Sequence, residues 1–423
     1  MKQDPPGTAS RRAALRLLDA VLRRGLPLES ALDAAARDLE RADDRAFAHA
    51  IAAEALRRLP DLDELIDHAT KKRLPDDAKA RFALRIALVQ ALAMNTPHHA
   101  AISTVLPLVD GGPRKLVHGV FSAVMRQKWA LPEVPHLPIP VAERWRKAWG
   151  QDAVAAAERL IAVPPPIDLF GEPPGDLDGI SLMPGHLRLP RGADIAGLAG
   201  HAEGSSGESG RWWVQDISAA IPARLLGAGA GKAVLDLCAA PGGKTMQIAA
   251  AGHHVTAVDQ AESRLKRLRE NLDRTHLDAK LVAADAAKWK PHQQFDAILL
   301  DAPCSATGTF RRHPEVLHRA RPQIIRDSVD LQKELLTRAT SWLKPGGSLV
   351  YAVCSLEPDE GEQLIGDFLA RDSSFRTDPP QPGELPDFVT PSPEGWVRVL
   401  PGLIEEQGGL DGFFVARLVR MAT

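Results

Sequence analysis

From residue 233 onward the chain alternates short apolar runs with amphipathic stretches. The runs are AVLDL (233–237), HVTAVD (254–259), KLVAAD (280–285), DAILLD (296–301) and GSLVYAV (347–353). Between them, AESRLKRLRENLDRT and SVDLQKELLTRATSWL carry apolar residues at helical spacing. A strand that is apolar at nearly every position is buried on both faces, and strands joined through helices run parallel. The pattern predicts an α/β fold with a doubly wound parallel sheet over 211–423. In such a sheet, ligands bind at the carboxyl ends of the strands.

The preceding sequence is different. Residues 1–130 read as an all-α bundle. RRAALRLLDAVLRR sets Ala14, Leu17, Leu18, Val21 and Leu22 on one stripe, and later segments repeat the pattern. Residues 131–210 read as a small α+β segment. Proline clusters at LPEVPHLPIP and VPPP interrupt it, VAERWRKAWGQDAVAAAERLIAV is helical, and ISLMPGHLRLP suits short strands. GHAEGSSGESG (200–210) reads as a linker. Three domains are expected: 1–130, 131–210 and 211–423.

The formal net charge of the 423 residues is −2, which excludes a uniformly basic nucleic-acid coat. Residues 1–135 hold 21 Lys+Arg and 17 Asp+Glu, a net of +4, leaving −6 for the rest. A sharper cluster spans Arg311–Arg326, with five arginines against Glu315. Cys238, Cys304 and Cys354 are odd in number and lack metal-ligand spacing, so neither a disulfide scaffold nor a metal site is expected. No apolar stretch reaches the roughly 20 residues of a membrane span. The expectation is a cytoplasmic monomer without a membrane contact.

The motifs fall at the strand ends. LDLCAAPGGKT (235–245) follows the first strand and opens a helix, with Pro241, Gly242 and Gly243 forming a tight turn that lets a ligand approach the backbone. Asp259 ends the next strand, placed to bind ribose hydroxyls, and Asp285 ends the third, placed to accept from an adenine amine. Together they suggest an adenosine-shaped pocket. A phosphate-loop NTPase is the rival, since GKT precedes AILLD. That loop needs a glycine at position 238, which is Cys.

DAPCSATG (301–308) and YAVCS (351–355) then put Asp301, Cys304 and Cys354 at two further strand ends. Two thiols, a carboxylate and an adenosine cofactor suit alkylation at C5 of a pyrimidine. A thiolate adding at C6 turns C5 into a nucleophile, and a carboxylate beside the ring favours the charge that builds up. These residues alone leave open which thiol attacks.

LDLCAAPGGKT, AVDQ, AADA, DAPCSATGTFRRHPE and YAVCSLEPDEGE, with WVQDISA upstream, resemble the Sun/Fmu family of S-adenosylmethionine-dependent RNA cytosine-C5 methyltransferases. TPHHAAISTVLPLV and its helical surroundings resemble the NusB-like RNA-binding domain of the family's RsmB branch. The resemblance implies a Rossmann-like methyltransferase domain preceded by an all-α NusB-like domain and a small α+β linker domain. It implies S-adenosylmethionine as cofactor and small-subunit (16S) ribosomal RNA as substrate. Cys354 matches the family's nucleophile and Cys304 the cysteine of product release. The cofactor loop falls on Cys238, Ala239, Ala240, Pro241, Gly242, Gly243 and Lys244, and the cofactor aspartates on Asp259, Asp285 and Asp301. Arg311, Arg312, Arg319 and Arg321, just past Cys304, are expected to hold RNA phosphates. The alternatives are the same reaction on transfer RNA and a non-catalytic RNA-binding assembly factor.

Overall fold

The computed structural model describes residues 4–175, 177–193, 210–229 and 231–422. The linker reading of 200–209 lies outside them. The chain forms two units, Met1–Val163 with Phe310–Arg321, and Pro164–Thr309 with Pro322–Thr423. This division differs from the expected boundaries. Helices Ile139–Trp149 and Gln151–Ile161 join the first unit, whereas the strands that follow join the second. The middle segment is therefore divided between the two.

The first unit is helical. Helix Lys79–Leu92 is buried at every position from Ala80 to Gln90, so the polar side chains within it need partners. Its two arginines are paired as they are buried. Arg85 binds Asp63 through two hydrogen bonds of 2.8 and 2.7 Å, and Arg81 meets Asp63 at 3.0 Å and also Asp67. Segment 310–321 packs into this unit through polar and apolar contacts. Leu28 N donates to Glu315 Oε1 at 3.2 Å, His318 Nε2 donates to the Leu56 carbonyl at 2.8 Å, and Phe310 lies 5.6 Å from the Trp145 ring. Burial pushes His318 down to about 4, so it is a neutral donor.

The second unit begins with a three-stranded antiparallel sheet of β1 (Ile167–Gly171), β2 (His186–Leu189) and β3 (Trp212–Val214), ordered β2-β1-β3. The main sheet comprises β4 (Ala233–Leu237), β5 (His254–Asp259), β6 (Lys280–Ala283), β7 (Phe295–Asp301), β8 (Leu343–Val353), β9 (Phe375–Thr377), β10 (Val397–Val399) and β11 (Phe413–Arg420). Its order is β10-β11-β8-β7-β4-β5-β6, with β9 on β11. Strands β4 to β8 are parallel, as the apolar runs predict. The sheet is nonetheless mixed, because β11 pairs antiparallel with β8.

Side chains alternate across this sheet with a period of two. Val234, Ala257, Leu299 and Val350 pack on one face, and Leu235, Val258, Leu300 and Tyr351 on the other. Leu265, Leu268 and Leu272, at i, i+3 and i+7 of helix Glu262–Thr275, cover the first face. Leu335, Leu336 and Ala339 of helix Pro322–Ser341 cover the second. The strand order reverses at β4, so the carboxyl ends of β4, β5 and β7 surround the crevice where ligands bind in open α/β sheets.

Candidate active site

The loop after β4 turns through Cys238, a non-glycine residue at φ 61, and Gly242 at φ 109, before helix Gly243–Ala250 begins. The loop is pinned to β5: Ala239 N donates to the Val258 carbonyl at 3.1 Å, and Ala240 N donates to Asp259 Oδ2 at 3.1 Å. Asp259 Oδ1 takes a second backbone bond, from Ala261 N at 2.9 Å. Asp259 thus shapes the loop itself, and Arg264 Nη1 faces its Oδ2 at 3.7 Å. Asp285 caps its own turn by accepting from Ala287 N at 3.0 Å, with its side chain 41% exposed.

Gly242 has no room for a side chain. A Cβ there would lie 2.0 Å from Leu268 Cδ1, and the positive φ disfavours any other residue. Gly242→Ala is expected to destabilise the protein by roughly 2–4 kcal/mol through strain and displacement of helix Glu262–Thr275. Urea unfolding checks this, and a parallel loss of S-adenosylmethionine affinity is expected by calorimetric titration.

Asp236, in the same motif, is fully buried. Thr245 Oγ1 donates to its Oδ2 at 2.5 Å, whereas Oδ1 has no partner. A buried carboxyl group with one oxygen unpaired is held most cheaply as the neutral acid. Burial pushes this carboxyl from 3.8 up to about 7. A raised folded-state value favours the protonated acid, so its stabilising contribution is complete below pH 4 and lost as the pH rises towards 7. Asp236→Asn is neutral throughout. The stability difference between the ligand-free wild type and this variant is expected to change by about 4 kcal/mol between pH 4 and pH 8, read from urea unfolding at each pH.

Lys244 reaches across to β7, where Nζ donates to Asp301 Oδ2 at 2.7 Å and lies 5.2 Å from the centre of the Phe413 ring. Burial lowers its pKa, but the Asp301 charge and hydrogen bond overcome this and leave it raised, so the ammonium is retained. This commitment to Asp301, with Cys at 238, leaves the NTPase alternative without its phosphate-binding lysine.

Strands β7 and β8 are parallel neighbours, with Asp301 opposite Ala352. The loops beyond them bring Cys304 Sγ to 3.5 Å from Cys354 Sγ. Gly308 N donates to the Cys354 carbonyl at 3.0 Å, fastening one loop to the other. The Cys304 pKa is well raised, by the Cys354 contact first and burial second, so it is a protonated thiol able to donate to Cys354. Burial likewise pushes Cys238 up to about 12, so its thiol is no nucleophile.

Three features of the site escape the sequence reading. Asp236 stands inside a quoted motif, but nothing in the pattern separates it from the other strand residues. The carboxyl group of Glu360, 0% exposed, accepts from Ser305 N at 2.8 Å, Ser305 Oγ, Ser355 Oγ at 2.5 Å and Gln332 Nε2 at 3.1 Å. Its place in the run EPDEGE gives no sign of this burial. The third is a correction. Arg311, expected to hold RNA phosphate, is 1% exposed, because segment 310–321 is packed into the helical unit. Arg319 is half-buried and donates to the Gly25 carbonyl at 2.7 Å, Arg312 is half-buried, and Arg321 is exposed. Among the described residues, no cluster of three or more His, Cys, Asp or Glu is placed to hold a metal ion, and no helix is long and apolar enough to cross a membrane.

Comparison with known proteins gives this arrangement a family. Residues 223–419 match the 16S rRNA methyltransferase RsmB/F family, and residues 8–126 match the NusB family. Ribosomal RNA small subunit methyltransferase B of Xylella fastidiosa is 35% identical, with 98% of each chain covered. The enzyme of the same name from Pseudomonas putida is also 35% identical, over 97% of this chain and 98% of its own. In fold the chain resembles the crystal structure of PH0851, with a TM-score of 0.74, 24% identity and 99% and 100% of the two chains covered. It also resembles NSun6 from Pyrococcus horikoshii, solved with SFG, with a TM-score of 0.55, 18% identity and 68% and 99% covered. The chain belongs to the RsmB/F family of 16S ribosomal RNA methyltransferases and carries a NusB-family domain ahead of the catalytic fold.

Proposed function

We propose that the protein methylates C5 of a cytosine in small-subunit ribosomal RNA through a covalent adduct between Cys354 and C6 of the base. The observation that carries this reading is the approach of Cys304 and Cys354 to 3.5 Å at the carboxyl ends of neighbouring strands, beside Asp301. S-adenosylmethionine supplies an electrophilic methyl group. The residues at the strand ends suit it: the loop after β4 for close backbone approach, Asp259 for the ribose hydroxyls and Asp285 for the adenine amine.

Cys354 attacks as a thiolate, which the Cys304 thiol stabilises by hydrogen bonding. As the C6–S bond forms, electron density moves into the ring. N3 takes a proton from solvent as the density arrives, and Asp301 accepts hydrogen bonds from the base's amine and the new N3–H, holding the ring as C5 gains nucleophilic character. After C5 is methylated, its proton must leave before the C6–S bond can break. Cys304 is held protonated chiefly by its contact with the Cys354 sulfur. Once that sulfur is bonded to carbon its charge is gone, so the Cys304 thiol gives up its own proton to solvent more readily, and the resulting thiolate takes the C5 proton. Loss of that proton restores the double bond and expels Cys354.

A duplex hides C6 in the stack, so the target is flipped or single-stranded. The test compares unmodified small-subunit RNA with transfer RNA as methyl acceptor, reading 5-methylcytosine by mass spectrometry of the digested RNA. Methylation of the ribosomal RNA supports the proposal. Methylation of transfer RNA alone reassigns the substrate, and methylation of neither favours the assembly-factor alternative.

A further inference from the structure

The two thiols sit on loops that leave the sheet separately. Backbone bonds join these loops at Ala302, which donates to the Ala352 carbonyl at 2.9 Å, and again at Gly308. Cys304 lies between those points. Glu360 spans this gap. Its Oε1 accepts from the backbone of Ser305, and its Oε2 takes the hydroxyls of both Ser305 and Ser355, the residues that follow each cysteine. The same pair of hydroxyls lie 3.1 Å apart, and Thr307 Oγ1 stands 3.3 Å from Ser355 Oγ.

Glu360 is itself fixed at both ends. Gln332 Nε2 donates to Oε1 and also, at 2.9 Å, to the Pro303 carbonyl just before Cys304. The Tyr351 hydroxyl donates to the Glu360 carbonyl at 2.7 Å. A buried carboxyl group is costly unless hydrogen bonds satisfy it, and an apolar residue would fill the same space at lower cost. Four donors converging on it from the two cysteine loops and one helix indicate that it orders these loops.

We propose that Glu360 is a positioning residue that sets the Cys304–Cys354 separation by binding Ser305 and Ser355 with one carboxyl group. This rests on the reading of the two thiols as the reacting pair. A glutamine in the same place preserves the arrangement, because its oxygen accepts from Ser305 N and its amide donates to the serine hydroxyls, which rotate to accept.

The test measures the Cys304–Cys354 disulfide equilibrium of the full chain in glutathione redox buffers, with peptide mapping to locate the bond. This equilibrium reports the effective concentration of the two thiols without requiring methyl transfer. S-adenosylmethionine binding and thermal unfolding confirm that each variant is folded. Glu360→Ala is expected to lower the effective concentration about tenfold or more and to lower kcat, leaving KM for S-adenosylmethionine within about threefold. Glu360→Gln is expected to restore both values to within about threefold of wild type. If Glu360→Ala does not fold, Ser355→Ala takes its place, with a smaller decrease of about threefold expected. An unchanged disulfide equilibrium in a folded Glu360→Ala or Ser355→Ala protein overturns the proposal, as does a Glu360→Gln protein as impaired as Glu360→Ala. If the equilibrium shifts as expected while the wild type methylates no RNA, the positioning role stands and the proposed reaction falls.

Discussion

Cys354→Ala is expected to lower RNA methylation by about 10⁴-fold or more and to abolish any protein–RNA adduct that survives denaturation. The size of the effect follows from the base. C5 of cytosine is too weak a nucleophile to attack a methyl donor until a nucleophile has added at C6, so removing that nucleophile removes the route itself. Neither remaining thiol is a substitute. Cys304 keeps its proton, and Cys238 is buried with its thiol pushed up to about 12. Binding should survive the change, since the groups suited to S-adenosylmethionine lie at β4, β5 and β6. Cofactor titration and a single-turnover methylation assay check the two halves of this expectation. A variant that loses cofactor affinity together with turnover points to disrupted packing.

Cys304→Ala should behave in the opposite way towards the adduct. Addition and methylation can still proceed, because Cys354 is intact. The C5 proton then loses its nearby acceptor, and elimination stalls. Turnover is expected to fall by about 10²-fold or more, the usual contribution of a positioned proton acceptor. The adduct should accumulate, visible as a slow band on a denaturing gel that depends on S-adenosylmethionine. The two cysteine variants therefore share a turnover defect and have opposite adduct levels. A merely structural role for the pair would not produce that contrast.

The central sheet is legible in the sequence because strands buried on both faces leave little ambiguity. Continuous runs such as AILLD and LVYAV alternate with helices of clear period, and β4 to β8 form at those runs and pair in parallel. The neighbouring positions of Cys304 and Cys354 follow from the same logic, since both lie just beyond strands that pair. Strand β11 is not legible in this way. Its sequence FFVARLVR carries two arginines, and it returns antiparallel to β8 after helix Glu362–Arg371 and two three-residue strands. Segment 310–321 misleads for a different reason. Its arginines suggest a solvent-facing surface beside the thiols, yet Arg311, Glu315 and Leu317 are buried in the helical unit. There Glu315 accepts from Leu28, 287 positions earlier. Sequence spacing holds no information about such distant partners. Glu360 illustrates the same limit, because a carboxyl group gives no sign in the sequence that four donors will surround it.

The division of labour between the thiols is tested most directly by locating the bond to RNA. Small-subunit RNA containing 5-fluorocytidine should trap the wild-type enzyme after methylation, because the fluorine at C5 cannot leave as a proton does. Nuclease and protease digestion followed by mass spectrometry would then identify the modified peptide. The account predicts a 5-fluoro-5-methylcytidine adduct on the peptide containing Cys354. An adduct on the peptide containing Cys304 would contradict it.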